Sequence, residues 1–277
     1  MGVGIMPICT GDTIETGNQF SPKKSLGQHW LNDDNSLNQI ISLANLSSTD
    51  LVVEIGPGTG SLTKLLVDKV AKVIAIELDE SLSDYLRTLK LANLLVENID
   101  VLKFNFEQLR EYKVVANIPY YLTGKIIKEI SQLNNRPELV VLLVQKEIAD
   151  RLSAEPGNLS VLGLTAQYFW QVSRGPIITA DKFEPPPKVD SQIIKLLPKE
   201  LSLPPKQQEQ LFRLIKIGFS SKRKTILNNL RHGYRVNKEL ISEILKNSNI
   251  DKDRRPQTLS LIEWQELSEA IIRQIGI

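Results

Sequence analysis

Asn117-Ile118-Pro119-Tyr120 sets an amide, an interrupted backbone and an aromatic ring within four residues, directly after the apolar run Val114-Val115-Ala116. The run reads as a buried strand, so it delivers Asn117 to the carboxyl edge of a sheet, where open α/β folds place their ligands. Pro119 fixes φ and lacks an N–H, which stops the ladder and frees a carbonyl from pairing. That set suits a planar base bearing an exocyclic amine. The Asn117 amide oxygen and the Ile118 carbonyl can accept its two N–H bonds while Tyr120 stacks on the ring. Taken alone, the tetrapeptide equally fits a strand ending in a Pro turn with its tyrosine packed on the fold.

A second constellation lies upstream in Glu54-Ile55-Gly56-Pro57-Gly58-Thr59-Gly60. Gly56 and Gly58 after a strand let the backbone bend tightly and approach a ligand lying across the next helix. The spacing lacks the third glycine of G-x-G-x-x-G, and Pro57 stiffens the loop, so a dinucleotide pyrophosphate fits it poorly. Glu77 ends the following strand, where a carboxylate can accept hydrogen bonds from both hydroxyls of a ribose. Asp100 follows the next strand, at the edge that would meet an adenine amino group. The Gly loop, Glu77, Asp100 and Asn117 thus mark four successive strand ends, a register hard to assign to chance.

The elements that must position these groups are legible as alternating strands and helices. Strands are expected at Leu51–Ile55, Lys72–Glu77, 94–96, 113–117 and 139–144, with helices over 38–46 and from Ser61, Ser81 and Thr123. Such alternation implies a mostly parallel sheet covered by helices on both faces. Residues 172–178 and 189–197 flank the turn-rich Phe183-Glu184-Pro185-Pro186-Pro187-Lys188 and are expected to close the sheet with antiparallel strands. Pro198, Pro204 and Pro205 mark a linker. Beyond it the pattern is helical over 207–219, 221–231, 238–246 and 260–275, with Ser260 and Glu263 at capping-box spacing. The domain reading is a tail over 1–20, an α/β unit over 21–198 and a small all-helical unit over 199–277.

Charge separates these parts, because residues 1–198 carry a net −4 and residues 199–277 a net +6. Between Gln210 and Lys238 there is no acidic residue, and Lys222, Arg223, Lys224 and Arg231 stand among eight basic side chains. This is a candidate phosphate footprint, with a solvated helical face as the alternative. Cys9 is the lone cysteine and His29 and His232 the two histidines, which excludes an internal disulfide framework and argues against a metal cluster. No apolar run is long enough to span a bilayer and no signal or transit pattern opens the chain, so a soluble, cytoplasmic protein with no membrane partner is expected.

The order GPGTG, IELD (76–79), Asp100, NIPYY (117–121) and FEPPPKVDS (183–191) resembles the small-subunit ribosomal RNA adenine N6,N6-dimethyltransferase family. NIPYY combined with FEPPPKVDS is the specific part, and SLGQHWLND (25–33) and FSSKRKTILNNL (219–230) resemble the family's opening and helical-domain motifs. The resemblance covers roughly residues 21–260. It implies a class I methyltransferase fold binding S-adenosylmethionine, with Leu31, Gly56, Gly58, Glu77, Asp100 and Asn117 at cofactor positions. His29 stands where the family often has Asn, and is its expected equivalent. It further implies transfer to N6 of two adjacent adenosines near the 3′ end of small-subunit rRNA during ribosome biogenesis, by a monomer acting on a precursor of the small subunit.

On that reading Asn117, Ile118, Pro119 and Tyr120 hold the target amine, and Phe183, set on an exposed extended segment by the prolines after it, covers the other face of the base. Other readings are a large-subunit rRNA adenine methyltransferase, a DNA or small-molecule methyltransferase, and an assembly factor that acts mainly by docking on RNA. The basic helical segment is small for a domain that reads DNA sequence, and PPPKVDS weighs against the large-subunit methylases.

Overall fold

The strand-forming runs over 51–55, 72–77, 112–117, 139–145 and 191–198 are rich in Val, Ile and Leu and are buried over most of their length, as strands inside a helix-covered sheet must be. The computed structural model describes residues 20–276. Among the described residues a 3-10 turn over Lys24–Leu26 is followed by β1 (Trp30–Leu31) and α1 (Asp34–Ala44), the helix capped by Asp33, whose carboxylate accepts from the Ser36 N–H. The chain continues through β2 (Leu51–Ile55), α2 (Ser61–Val67), β3 (Lys72–Glu77), α3 (Glu80–Thr88), β4 (Leu94–Asn98), β5 (Tyr112–Asn117), α4 (Thr123–Gln132) and β6 (Leu139–Gln145). Then come α5 (Lys146–Leu152), α6 (Val161–Phe169), β7 (Trp170–Ile178), β8 (Phe183–Glu184) and β9 (Ser191–Pro198).

The main sheet has seven strands in the order β4-β3-β2-β5-β6-β9-β7. Neighbours among β2 to β6 are parallel, whereas β9 runs antiparallel to both β6 and β7, as the sequence leads one to expect. Strand order reverses between β2 and β5: the chain winds outward through β3 and β4, then returns to build β5 and β6 on the other side. A crevice opens at the carboxyl ends of strands at such a reversal.

Three expectations are corrected. No element is expected between 144 and 172, yet α5 and α6 fill it. Their signals are local: Glu147 pairs with Arg151, and Ser160 caps α6 by accepting from the Gly163 N–H. The exposed placement of Phe183 is also overturned. It is 4% exposed, because β8 pairs antiparallel with β1 and sets Phe183 against Leu31 in a cluster with Leu37 and Ile178. Finally, the helix expected from Ser221 begins at Ile226, where the Thr225 hydroxyl accepts from the Asn228 N–H.

The last four helices are α7 (Pro205–Gly218), α8 (Ile226–Tyr234), α9 (Lys238–Asn247) and α10 (Leu261–Ile275), the last with both bonds of the Ser260/Glu263 capping box. α7 passes so close to α10 that a Cβ at Gly218 would collide with the Trp264 ring, so only glycine fits there. The stretch between β9 and α7 is fastened down by Arg136, which donates to the Phe169 and Lys199 carbonyls at 3.1 and 3.0 Å. Phe212 of α7 stacks on Phe169 of α6 at 5.5 Å, which makes the helices and one face of the sheet share an apolar cluster. No helix among the described residues is long and apolar enough to cross a membrane. The tail assigned to 1–20 lies, apart from Phe20, outside the described residues.

Candidate active site

Glu77, at the end of β3, holds the glycine loop that follows β2. Its carboxylate accepts from the Gly58 N–H at 3.1 Å and from the Asp79 N–H at 2.8 Å. Gly58 lies at φ +59°, and a Cβ there would press on the Trp30 indole at 3.0 Å, so the loop lies directly on the ring. Asp100 follows β4 and caps a short helical turn by accepting from the Leu102 N–H at 3.0 Å. Asn117 ends β5. These four strand ends, with His29 and Leu31 from the N-terminal segment and Ile118, Pro119 and Tyr120, line one cleft at the strand-order reversal.

Within the cleft, Asn117 donates its amide nitrogen to the His29 carbonyl at 3.2 Å. A carbonyl acceptor fixes which end of the amide is nitrogen, leaving the Oδ1 lone pairs for another donor. His29 also presents Nδ1 to the Pro185 carbonyl at 2.6 Å, and its ring stacks on Tyr120 at 5.9 Å and 19°. The Tyr120 hydroxyl meets Ser191 Oγ at 2.8 Å. Burial pushes the Tyr120 phenol above its ordinary value, against the opposing effect of the Ser191 hydrogen bond, so Tyr120 is neutral at physiological pH.

Burial raises two carboxyls of the cleft. Glu54 is 1% exposed, and desolvation, opposed by a Thr63 hydrogen bond and aided by the Glu77 charge, raises it to about 8. Glu77, 6% exposed, is also raised by desolvation, but the Asp79 and Gly58 N–H groups oppose the rise. Beside them Asp79 is held low: burial pushes it up, and Lys23, Gln28 and the Ser81 N–H outweigh that. Lys23 lies 2.8 Å from Asp79 and ties the N-terminal segment across the mouth of the glycine loop.

A nucleoside-bearing cofactor fits this donor set. Glu77 spends one lone pair of each oxygen on the backbone and keeps others for a diol, and Asp100 offers an acceptor for an exocyclic amine. Leu78 and Val101 add flat apolar wall. The buried Nε1 of Trp30, a residue lining the cleft, has no hydrogen-bond partner among the described residues, as a group awaiting a polar ligand would. Sequence reasoning missed Trp30, Glu54, Leu78, Val101 and Tyr121 as lining residues. Glu54 is one residue inside its strand, and Trp30 reaches the loop only through folding of the N-terminal segment.

Not every expected residue is here. Phe183 does not line the cleft but is buried on β8 opposite Leu31 of β1. Lys222, Arg223 and Lys224 project from the exposed turn between α7 and α8, and Arg231 from α8. The turn is held from inside by Asn229, which donates to the Gly218 and Ser221 carbonyls at 2.6 and 3.0 Å. Among the described residues no group of three or more His, Cys, Asp or Glu could hold a metal ion.

Residues 19–267 match the family model described as ribosomal RNA adenine dimethylase. A protein named ribosomal RNA small subunit methyltransferase A from Dehalococcoides mccartyi is 36% identical over 91% of this chain and 89% of its own. Its namesake from Bacillus mycoides is 38% identical over 96% of each chain. A dimethyladenosine transferase from Plasmodium falciparum superposes with a TM-score of 0.75 at 30% identity, covering 90% of this chain and 99% of that one.

Proposed function

This chain belongs to the ribosomal RNA adenine dimethylase family, and on that footing we propose how its cleft works and on what it acts. It is an S-adenosylmethionine-dependent rRNA adenine N6,N6-dimethyltransferase on a class I methyltransferase fold. Its targets are two adjacent adenosines near the 3′ end of small-subunit rRNA, modified in a precursor of the small subunit during ribosome biogenesis. It acts as a cytoplasmic monomer, with residues 21–198 as the catalytic unit and 199–277 as an RNA-docking unit.

The observation that carries the assignment of roles is the oriented Asn117 amide, fixed in the same cleft as Glu77. The adenine N6 lone pair is delocalised into the ring and is a poor nucleophile. With its two N–H groups donated to Asn117 Oδ1 and the Ile118 carbonyl, the nitrogen can pyramidalise and localise that pair. Neutral Tyr120, braced by His29 and Ser191, presents a ring face to the base. Pro119 keeps the Ile118 carbonyl out of a ladder. Bound S-adenosylmethionine supplies an electrophilic methyl on a sulfonium. Glu77 would hold its ribose, Asp100 its adenine amine, and Gly56, Gly58, Leu31 and His29 would wall it in. After one methyl is added a single N–H remains, so the second pass relies more on stacking than on the pair of acceptors.

The test is mass mapping of rRNA from a deletion strain, before and after reintroduction of the gene. N6,N6-dimethyladenosine should vanish from, and return to, an adjacent pair of small-subunit adenosines. Its appearance in large-subunit rRNA alone would refute the substrate assignment.

Lys222, Arg223, Lys224 and Arg231 would contact RNA phosphates. Lys222→Glu with Arg223→Glu should therefore weaken RNA binding and flatten the slope of log affinity against log salt by about 1.4–1.8, two counterions' worth. Cofactor affinity should be unchanged. Salt-dependent filter binding reads this, and an unaltered slope would return the turn to an ordinary solvated surface.

A further inference from the structure

Tyr121 is 54% exposed and lines the rim of the cleft directly beside the half-buried Tyr120. It is the aromatic member of the exposed large hydrophobics among the described residues, and no hydrogen bond or ring contact occupies it. The ring is nevertheless held in place. It begins a turn capped by Pro119 together with Tyr120, and the Gly27 backbone lies so close that a Cβ there would touch the ring at 3.5 Å. The ring is thus supported on one side while its remaining surface faces solvent at the mouth of the cleft, where a second flat group can stack on it.

Entry of a base into the cleft supplies such a partner. An adenosine turned into the site leaves its stack, and the nucleotide next to it loses a neighbour and exposes a ring face at the mouth. We propose that Tyr121 stacks on the nucleobase adjacent to the adenosine being methylated, replacing the stacking lost on extrusion and selecting unpaired RNA in which that neighbour is present. This rests on the dimethylation reading above. Tyr120 serves the target base within the cleft, whereas Tyr121 serves its neighbour at the rim, so loss of Tyr121 acts on capture rather than on transfer. A pair of adjacent adenosines puts a purine in the neighbouring position.

The experiment uses small-subunit particles reassembled with rRNA whose nucleotide beside the target adenosine is either intact or abasic. For wild-type protein the abasic particle should raise KM about tenfold, with kcat largely kept. Tyr121→Ala should raise KM by the same factor on intact particles and show no further loss on abasic ones. Tyr121→Phe should match wild type, and Tyr121→Leu, which keeps bulk against Gly27 but lacks an aromatic face, should match the alanine variant. An unchanged KM for Tyr121→Ala on intact particles, or an equal further loss on abasic ones, overturns the inference while leaving the dimethylation reading intact. Wild-type protein that methylates neither particle overturns the reading itself, and the inference with it.

Discussion

Asn117→Ala should lower single-turnover methyl transfer on small-subunit particles by on the order of 10²-fold or more while leaving RNA affinity close to normal. The asymmetry arises from where the two energies reside. On the proposed function, RNA affinity comes mainly from phosphate contacts of the exposed Lys222 to Lys224 turn, whereas the Asn117 oxygen is needed chiefly as the amine pyramidalises. The variant also loses the bond from Asn117 Nδ2 to the His29 carbonyl, so thermal denaturation must accompany the assay. Asn117→Asp keeps an acceptor but cannot donate to that carbonyl, which separates orientation from acceptance. Near-normal dimethylation by a folded Asn117→Ala protein would sink the mechanism. Particle binding without any transfer by wild type would favour a docking factor.

Glu77→Ala should raise the dissociation constant for S-adenosylmethionine by about 10²-fold or more, because two charge-assisted hydrogen bonds to the ribose are lost, each worth roughly 1.5–3 kcal/mol. The same carboxylate braces the Gly58 and Asp79 N–H groups, so part of the loss is loop order. Glu77→Gln, which keeps one acceptor, should lose less. Calorimetry measures both, and an unchanged constant in a folded Glu77→Ala variant removes Glu77 from the site. Cofactor binding should also depend on pH, with a definite sign. Burial raises the Glu77 carboxyl above its ordinary value, and diol hydroxyls donate to its ionised form. Cofactor affinity is therefore full above the free protein's raised value and declines as pH falls through it, at a higher pH than an exposed glutamate would give.

The chain's local chemistry was enough to place four of the groups that line the cleft. A buried parallel strand reads as a short apolar run, and the residues that end it must sit at the sheet's carboxyl edge, so Gly56, Glu77, Asp100 and Asn117 needed only the period of the pattern. Capping did the same for α10, where Ser260 acts on the N–H three residues away. The basic run was equally plain as composition, but its form was not. Thr225 competes for the helix start and Asn229 folds the preceding turn back, so Lys222 to Lys224 stand on a loop rather than a helical face.

The remaining features belong to contacts between distant residues. Two-residue strands have no period, so nothing local announces that β1 pairs with β8 across some 150 residues. That pairing decides the fate of Phe183, buried against Leu31 although the prolines after it suggest an exposed segment. It also brings Pro185 to His29 and, through the His29 carbonyl, sets the orientation of the Asn117 amide. Which side chains reach the sheet edge could be read from the residues alone, because strand alternation is a local property. Which way the amide points and which carboxyls burial raises could not, because both depend on neighbours and burial supplied by folding from elsewhere in the chain.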